Sequence, residues 1–175
     1  MTLNRGNFTL PEADAYLDRE PDMQVQPLSD RLYTVSDGQV RTLFVVGESG
    51  VIAFDTFGTP GKARAYQKAI ASTLPGAPIS TVIYTHDNKD SAGLAADLAP
   101  GPEINADEMC AKVVKLRGAQ GQLQPTRVLT GERNELTVDG VDLVLLNPGP
   151  THGSGNLSAW FQREKLLFSA DTVLA

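Results

Sequence analysis

The chain has 175 residues, enough for one domain whose core needs no covalent staple, and its single cysteine, Cys110, excludes an internal disulfide. Apolar content of 41% and charged content of 21% are those of an ordinary globular protein rather than a disordered or fibrous one. A net charge of −6 argues against nucleic acid or an anionic membrane as the main partner.

In chain order, Thr9-Leu10-Pro11-Glu12 reads as a capping box that starts a short helix to about Arg19. Pro21 and Pro27 bracket a linker, and residues 1–22 are expected to form an N-terminal arm on a domain spanning 23–175. Strands are expected over Arg31–Val35 and Arg41–Gly47, around the turn Ser36-Asp37-Gly38, and over Val51–Asp55. Pro60 opens a helix over Lys62–Leu74, closed by Pro75-Gly76. Thr81–Thr85 is a short apolar strand, followed by a short helix over Ala92–Leu98. After a strand at Glu103–Ala106, Asp107 caps a helix to Arg117, with Gly118 as its left-handed stop. Cys110 lies on this helix and is expected to be a buried structural thiol. Strands follow at Arg127–Thr130, Glu135–Val138 and Val141–Leu146, the last two joined by Asp139-Gly140, and then at Leu157–Phe161 and Leu166–Ser169. The order predicts an α/β sandwich rather than a doubly wound sheet. The first residues carry no apolar signal segment and no run reaches membrane-span length, so a cytoplasmic protein without a membrane partner is expected.

Only two histidines occur, His86 in VIYTHDNKDSAG and His152 in LNPGPTHGSGNL. Imidazole is the commonest metal ligand because its neutral nitrogen binds borderline cations at pH 7. Asp55 ends a strand, His86 ends another with Asn88 and Asp90 two and four residues on, and Asp171 ends the last. Loops at strand ends are where α/β sheets place their sites. Read one at a time, these residues also fit plainer roles: loop histidines, a helix cap at Asp90, a loop-holding carboxylate at Asp55 or Asp171. Trp160 and Phe161 read as core or interface, and Lys89, Arg117 and Arg127 as solvated surface charges.

In VGESGVIAFDTFG, TVIYTHDNKDSAGLAADL and PGPTHGSGNLSAWFQREKLLFSADTV the chain resembles the metallo-β-lactamase-fold superfamily over roughly Gln24–Asp171. The resemblance implies an αβ/βα sandwich, here with its C-terminal half incomplete because the chain stops at Ala175. It implies a metal site of His86, His152 and Asp171, with Asn88 as a weak amide ligand. Asp90 is then a second-site ligand and the group that orients the attacking water, and Asp55 is structural. Asn88 and Ser91 stand where the family has histidines, so at most one divalent ion is expected, zinc above others and weakly held or absent. Histidine restored at both positions is expected to raise zinc affinity. The implied activity is metal-dependent hydrolysis of an ester, lactone, thioester or amide, weak or dependent on a partner. The alternative is a non-catalytic binding or scaffold subunit that uses the pocket for a small-molecule ligand. An open apolar sheet edge after Ser169 predicts a homodimer or a heteromeric partner in contact with residues 157–175.

Overall fold

The computed structural model describes residues 15–16, 18–119 and 121–172. The capping box at residues 9–12 lies outside them; Ala15, Tyr16 and Asp18 are helical.

Eleven strands among the described residues form two sheets. The first has seven strands in sequence order: β1 (Gln24–Pro27), β2 (Leu32–Ser36), β3 (Arg41–Val46), β4 (Val51–Phe54), β5 (Ile79–Ile83), β6 (Glu103–Asp107) and β7 (Arg127–Leu129). Strands β1–β4 pair antiparallel, and β4–β7 pair parallel. The second sheet has the order β11-β10-β9-β8, all antiparallel, from β8 (Arg133–Val138), β9 (Val141–Leu146), β10 (Ser158–Phe161) and β11 (Leu166–Ser169). Residues 24–27, read from sequence as linker between two prolines, instead pair with β2. Proline is tolerated there because β1 is an edge strand, where a missing N–H costs no ladder bond.

Four helices among the described residues occupy the crossovers: α1 (Pro60–Thr73), α2 (Lys89–Ala92), α3 (Ala95–Leu98) and α4 (Glu108–Arg117). Thr59 caps α1 by accepting from the Lys62 amide at 3.3 Å, and Pro60 supplies its first turn. Asp107 caps α4 through the Met109 amide at 2.7 Å, and Gly118 ends it at φ 54°. The single helix expected over Ala92–Leu98 is two short ones that meet at Gly93 and Leu94. A side chain at Gly93 would collide with the Lys89 carbonyl, so only glycine permits that bend.

Two cores result. Tyr66, Ile70, Leu98, Cys110 and Val114 pack from the helices onto one face of the first sheet. Burial pushes the Cys110 thiol up, in keeping with an inert structural cysteine. On the opposite face Phe54, Ile52 and Leu43 meet Leu143, Leu145 and Phe161 of the second sheet. Phe54 stitches the sheets edge-on, 6.0 Å from Phe161 and 5.5 Å from Phe168. Strand alternation leaves Val144, Leu146, Trp160 and Leu167 on the outer face of the second sheet, where Leu167 is 56% exposed. Val144, by contrast, is buried on that face.

Candidate metal centre

The parallel strands β4, β5 and β6 all end on one side of the molecule, and the loops that follow them build the site. Asp55 follows β4 at φ 58°, and Phe57 two residues on stands at φ 61°. A left-handed phenylalanine is uncommon enough to mark a loop held by its surroundings. Phe57 is fully buried, edge-on against Tyr66 at 5.3 Å.

His86, after β5, is buried. His152 comes from the loop between β9 and β10, and Asp171 from just beyond β11; both are exposed. The ligand atoms of His86, His152 and Asp171 lie within 4.8 Å of one another. Nε2 of His86 is 3.5 Å from the Asp171 carboxylate, and the two imidazoles stand edge to face at 5.1 Å. Tetrahedral ligands around an ion at ~2.1 Å sit ~3.4 Å apart, so the three close on one cation with small side-chain shifts. His86 Nε2 is buried and has no hydrogen-bond partner, a state that costs free energy unless the lone pair is used. The chemistry of the three donors and that orphaned nitrogen fit a divalent ion.

The remaining sequence-selected residues have distinct places. Asp90 Oδ1 is 3.8 Å from His86 Nε2; Asp90 opens the first turn of α2 and lines the cleft without joining the three-residue cluster. The Asn88 amide nitrogen is 2.7 Å from His152 Nε2, so a cation that takes that nitrogen must displace Asn88. Asp55 is buried and accepts from the Thr85 amide at 2.8 Å, the Thr85 hydroxyl at 2.9 Å, and the Ser91 hydroxyl. Burial pushes the Asp55 carboxyl above the usual carboxylate range, against the opposing pull of His86, Ser91 and Thr85.

Three residues hold this loop in roles that the sequence does not assign to them. Ser91, read as a lost ligand, is 1% exposed and accepts from the Thr85 and His86 amides at 3.0 and 3.2 Å. Thr85 also receives the second site loop, since its carbonyl accepts from the Leu157 amide at 2.7 Å. Arg117, read as a solvated surface charge, donates to the Asp87 carbonyl at 2.5 Å and ties the His86 loop to the end of α4. The signal for Thr85 and Ser91 was available: small hydroxyl residues flanking a histidine at a strand end are the residue types that cap loop amides. Two glycines let the His152 loop come this close, because side chains at Gly153 and Gly155 would meet the Asp87 carboxylate and the start of α4.

The cleft around His86, Asp90 and Asp171 has a volume of about 690 Å³, within the range of small-molecule sites. Val40 and Phe168 supply apolar wall, and the Arg41 guanidinium lines the cleft beside them.

A sequence profile of the metallo-beta-lactamase superfamily matches residues 35–175. The chain belongs to this superfamily. It is 47% identical over 155 residues to the 2,4-dinitroanisole O-demethylase subunit alpha of Nocardioides sp. (strain JS1661), covering 88% of this chain and 47% of that protein. It is also 33% identical over 147 residues to the subunit beta from the same strain, covering 84% of this chain and 46% of that one. The chain therefore spans about half the length of the curated relatives it matches. A metallo-beta-lactamase from Pontibacter korlensis superposes with a TM-score of 0.68 at 18% identity, over 83% of this chain and 69% of that chain. The stereoselective inverting sec-alkylsulfatase Pisa1 from Pseudomonas sp. superposes with a TM-score of 0.71 at 17% identity, over 81% and 30%. These structures share the metallo-beta-lactamase fold expected from the sequence. No described helix is long and apolar enough to cross a membrane.

Proposed function

We propose that the chain is one subunit of a metal-dependent hydrolase that cleaves an activated C–O bond, in an ester or in an ether of an electron-poor phenol. The observation that carries this reading is the convergence of His86, His152 and Asp171 around a buried imidazole nitrogen with no other partner. Those three residues would hold one divalent ion, zinc by donor type. Such an ion would supply Lewis acidity and would bring the pKa of a water near ~7. Asp90, beside the cluster, orients the attacking water and takes its proton. Val40 and Phe168 hold an aromatic ring, and Arg41 attracts an anionic or nitro substituent and the charge that develops on the ring or on the leaving phenolate. Hydrolysis of an aryl methyl ether gives a phenol and methanol, so the atoms balance with water alone and no oxidant is required.

The name of the alpha-subunit relative supports an ether substrate, and the match to both subunits supports a partner of the same fold. The outer face of the second sheet around Trp160 and Leu167 is the surface we assign to that partner, within residues 157–175, in a cytoplasmic protein. A second reading, a non-catalytic binding subunit, is favoured by one observation: Asn88 already engages His152 Nε2.

The test is elemental analysis of the purified protein, alone and co-expressed with the Nocardioides subunit beta to which it is similar. It is joined to anaerobic assays of 4-nitrophenyl acetate and 2,4-dinitroanisole in ¹⁸O-labelled water, where label in the phenol marks attack on the electron-poor ring with methanol leaving, and label in methanol or acetate marks departure of the phenolate. One ion per chain and label in the released acid, phenol or methanol support the hydrolase. A chain that takes up no zinc, nickel or manganese, and gives no turnover with either substrate in either form, leaves the binding subunit.

A further inference from the structure

We propose that Thr85 is a positioning residue that fixes the tautomer of His86, leaving Nε2 as the unprotonated atom that faces the cleft. The proposal extends the metal reading of the same site. It rests on a proton count through a buried chain of hydroxyl groups.

Ser91 Oγ accepts two backbone N–H groups, from Thr85 at 3.0 Å and His86 at 3.2 Å. Both its lone pairs are thereby used, and its single proton goes to Asp55 Oδ1. The Thr85 amide also donates to Asp55 Oδ1 at 2.8 Å. Donors converge on Asp55, as they do on an acceptor-only carboxylate. The Thr85 hydroxyl lies 2.9 Å from each Asp55 oxygen and 2.9 Å from His86 Nδ1. With its proton directed to Asp55, this hydroxyl presents a lone pair to Nδ1. Nδ1 must then carry the hydrogen, and in a neutral ring Nε2 carries none. Nε2 is the buried nitrogen without a partner, 3.5 Å from Asp171. Hydrogen bonds behind a ligand imidazole set which nitrogen is free and how the ring points, and their loss lowers metal affinity by ~10–100-fold.

The count also gives Ser91 a role that its position opposite a family histidine conceals. A histidine there could not accept both amides and still donate to Asp55, so in this chain the serine maintains the Asp55–Thr85–His86 chain.

The experiment compares wild type with Thr85→Val, which keeps shape but has no hydroxyl, and Thr85→Ser, which restores it. Long-range ¹H–¹⁵N NMR on the metal-stripped protein reads the His86 tautomer directly, and competition with a chromophoric chelator reads zinc affinity. We expect Nδ1–H in wild type and Thr85→Ser, a shift towards Nε2–H in Thr85→Val, and a ~10–100-fold loss of zinc affinity in Thr85→Val alone. Circular dichroism checks the fold, and Thr85→Ala replaces the valine variant if that one does not fold. Nε2–H in the wild type, or an unchanged tautomer in the hydroxyl-free variant, overturns the proposal. The tautomer is read without metal, so a wild type that binds no zinc defeats the metal-site reading and leaves this one to the NMR result.

Discussion

At the end of the sandwich where β3 turns into β4, Asp139 accepts from the Ser49 amide at 3.0 Å, the Ser49 hydroxyl at 2.6 Å and the Ser80 hydroxyl at 3.3 Å, and its carbonyl takes the Glu48 amide at 2.9 Å. One residue of the second sheet's hairpin thus closes both sheets together. At the opposite end, beyond β4, β5 and β11, His86 Nε2 is buried without a partner and Asp171 stands in the left-handed region at φ 54°. The same fold satisfies its polar groups at one end and leaves them poised at the other. Stability is concentrated where the turns are closed; the candidate metal centre lies where a donor set is left open.

The largest expected effect separates the two ends. His152→Ala removes an exposed donor of the candidate site, so zinc affinity should fall by more than ~100-fold, while stability stays within about 0.5 kcal/mol of wild type. Isothermal titration and thermal melts on the same samples check it. A melting point that falls with the metal stripped from both proteins would show that the open end is structural after all.

Asp139→Ala should do the reverse. It strips acceptors from Ser49 and Ser80 and should cost about 2 kcal/mol, a fall of roughly 4–8 °C in melting temperature for a chain of this size. Zinc affinity should not change. A parallel loss of zinc binding would mean that the ends are coupled through the sheets.

A smaller effect sharpens the comparison within the open end. By the family resemblance Asn88 and Ser91 are two missing imidazoles, Asn88 keeping a weak amide donor, and histidine at both is expected to raise zinc affinity. Their surroundings differ. Asn88 sits beside His152, so Asn88→His should tighten zinc by about tenfold, roughly 1.4 kcal/mol. Ser91 is buried against Asp55, so Ser91→His should overpack the loop at about 1–3 kcal/mol and weaken binding. Equal gains from both single variants would refute the distinction.

That contrast also shows how far the sequence reaches. Strand and helix positions follow from alternation, caps and turn residues, and β9 and β11 match the expected Val141–Leu146 and Leu166–Ser169. His86, His152 and Asp171 are legible because each stands in a loop that follows a strand, within a motif whose flanking residues carry the family resemblance. What spacing does not carry is side-chain direction in three dimensions. Thr85 and Ser91 act through bonds to Asp55, which is 30 and 36 residues away in sequence. Arg117 reaches the His86 loop across 30 residues. Such contacts exist only once β4, β5 and α4 are packed. Likewise Pro27 breaks a helix pattern but not an edge strand, and only pairing with β2 shows which applies.

The smallest expected effect is in pH dependence, and its sign differs between the two ends. Burial is the largest single influence on the Asp139 carboxyl and raises it, but the Ser49 hydroxyl and amide, Ser80 and the Gly50 amide together outweigh it and hold the group below the usual carboxylate value. The folded state therefore gives up that proton more readily than the unfolded chain. Asp139 contributes stability that is fully present above about pH 4 and lost as pH falls through its folded value. Asp55 is raised by burial, so the folded state binds its proton more tightly. Between the unfolded carboxylate value and the raised folded one, stability must fall as pH rises, and above that window the ionised group remains a burden. Melting curves of metal-stripped wild type, Asp139→Asn and Asp55→Asn from pH 3 to 8 separate the two. Asp139→Asn should flatten the acid limb, with a difference of about 1 kcal/mol that vanishes at low pH. Asp55→Asn should match or exceed wild-type stability at neutral pH and lose that advantage in acid, while zinc affinity falls. A neutral-pH melting point well below wild type would mean that the three donors on Asp55 outweigh its burial, and that the open end is held together by the same carboxylate that keeps it poised.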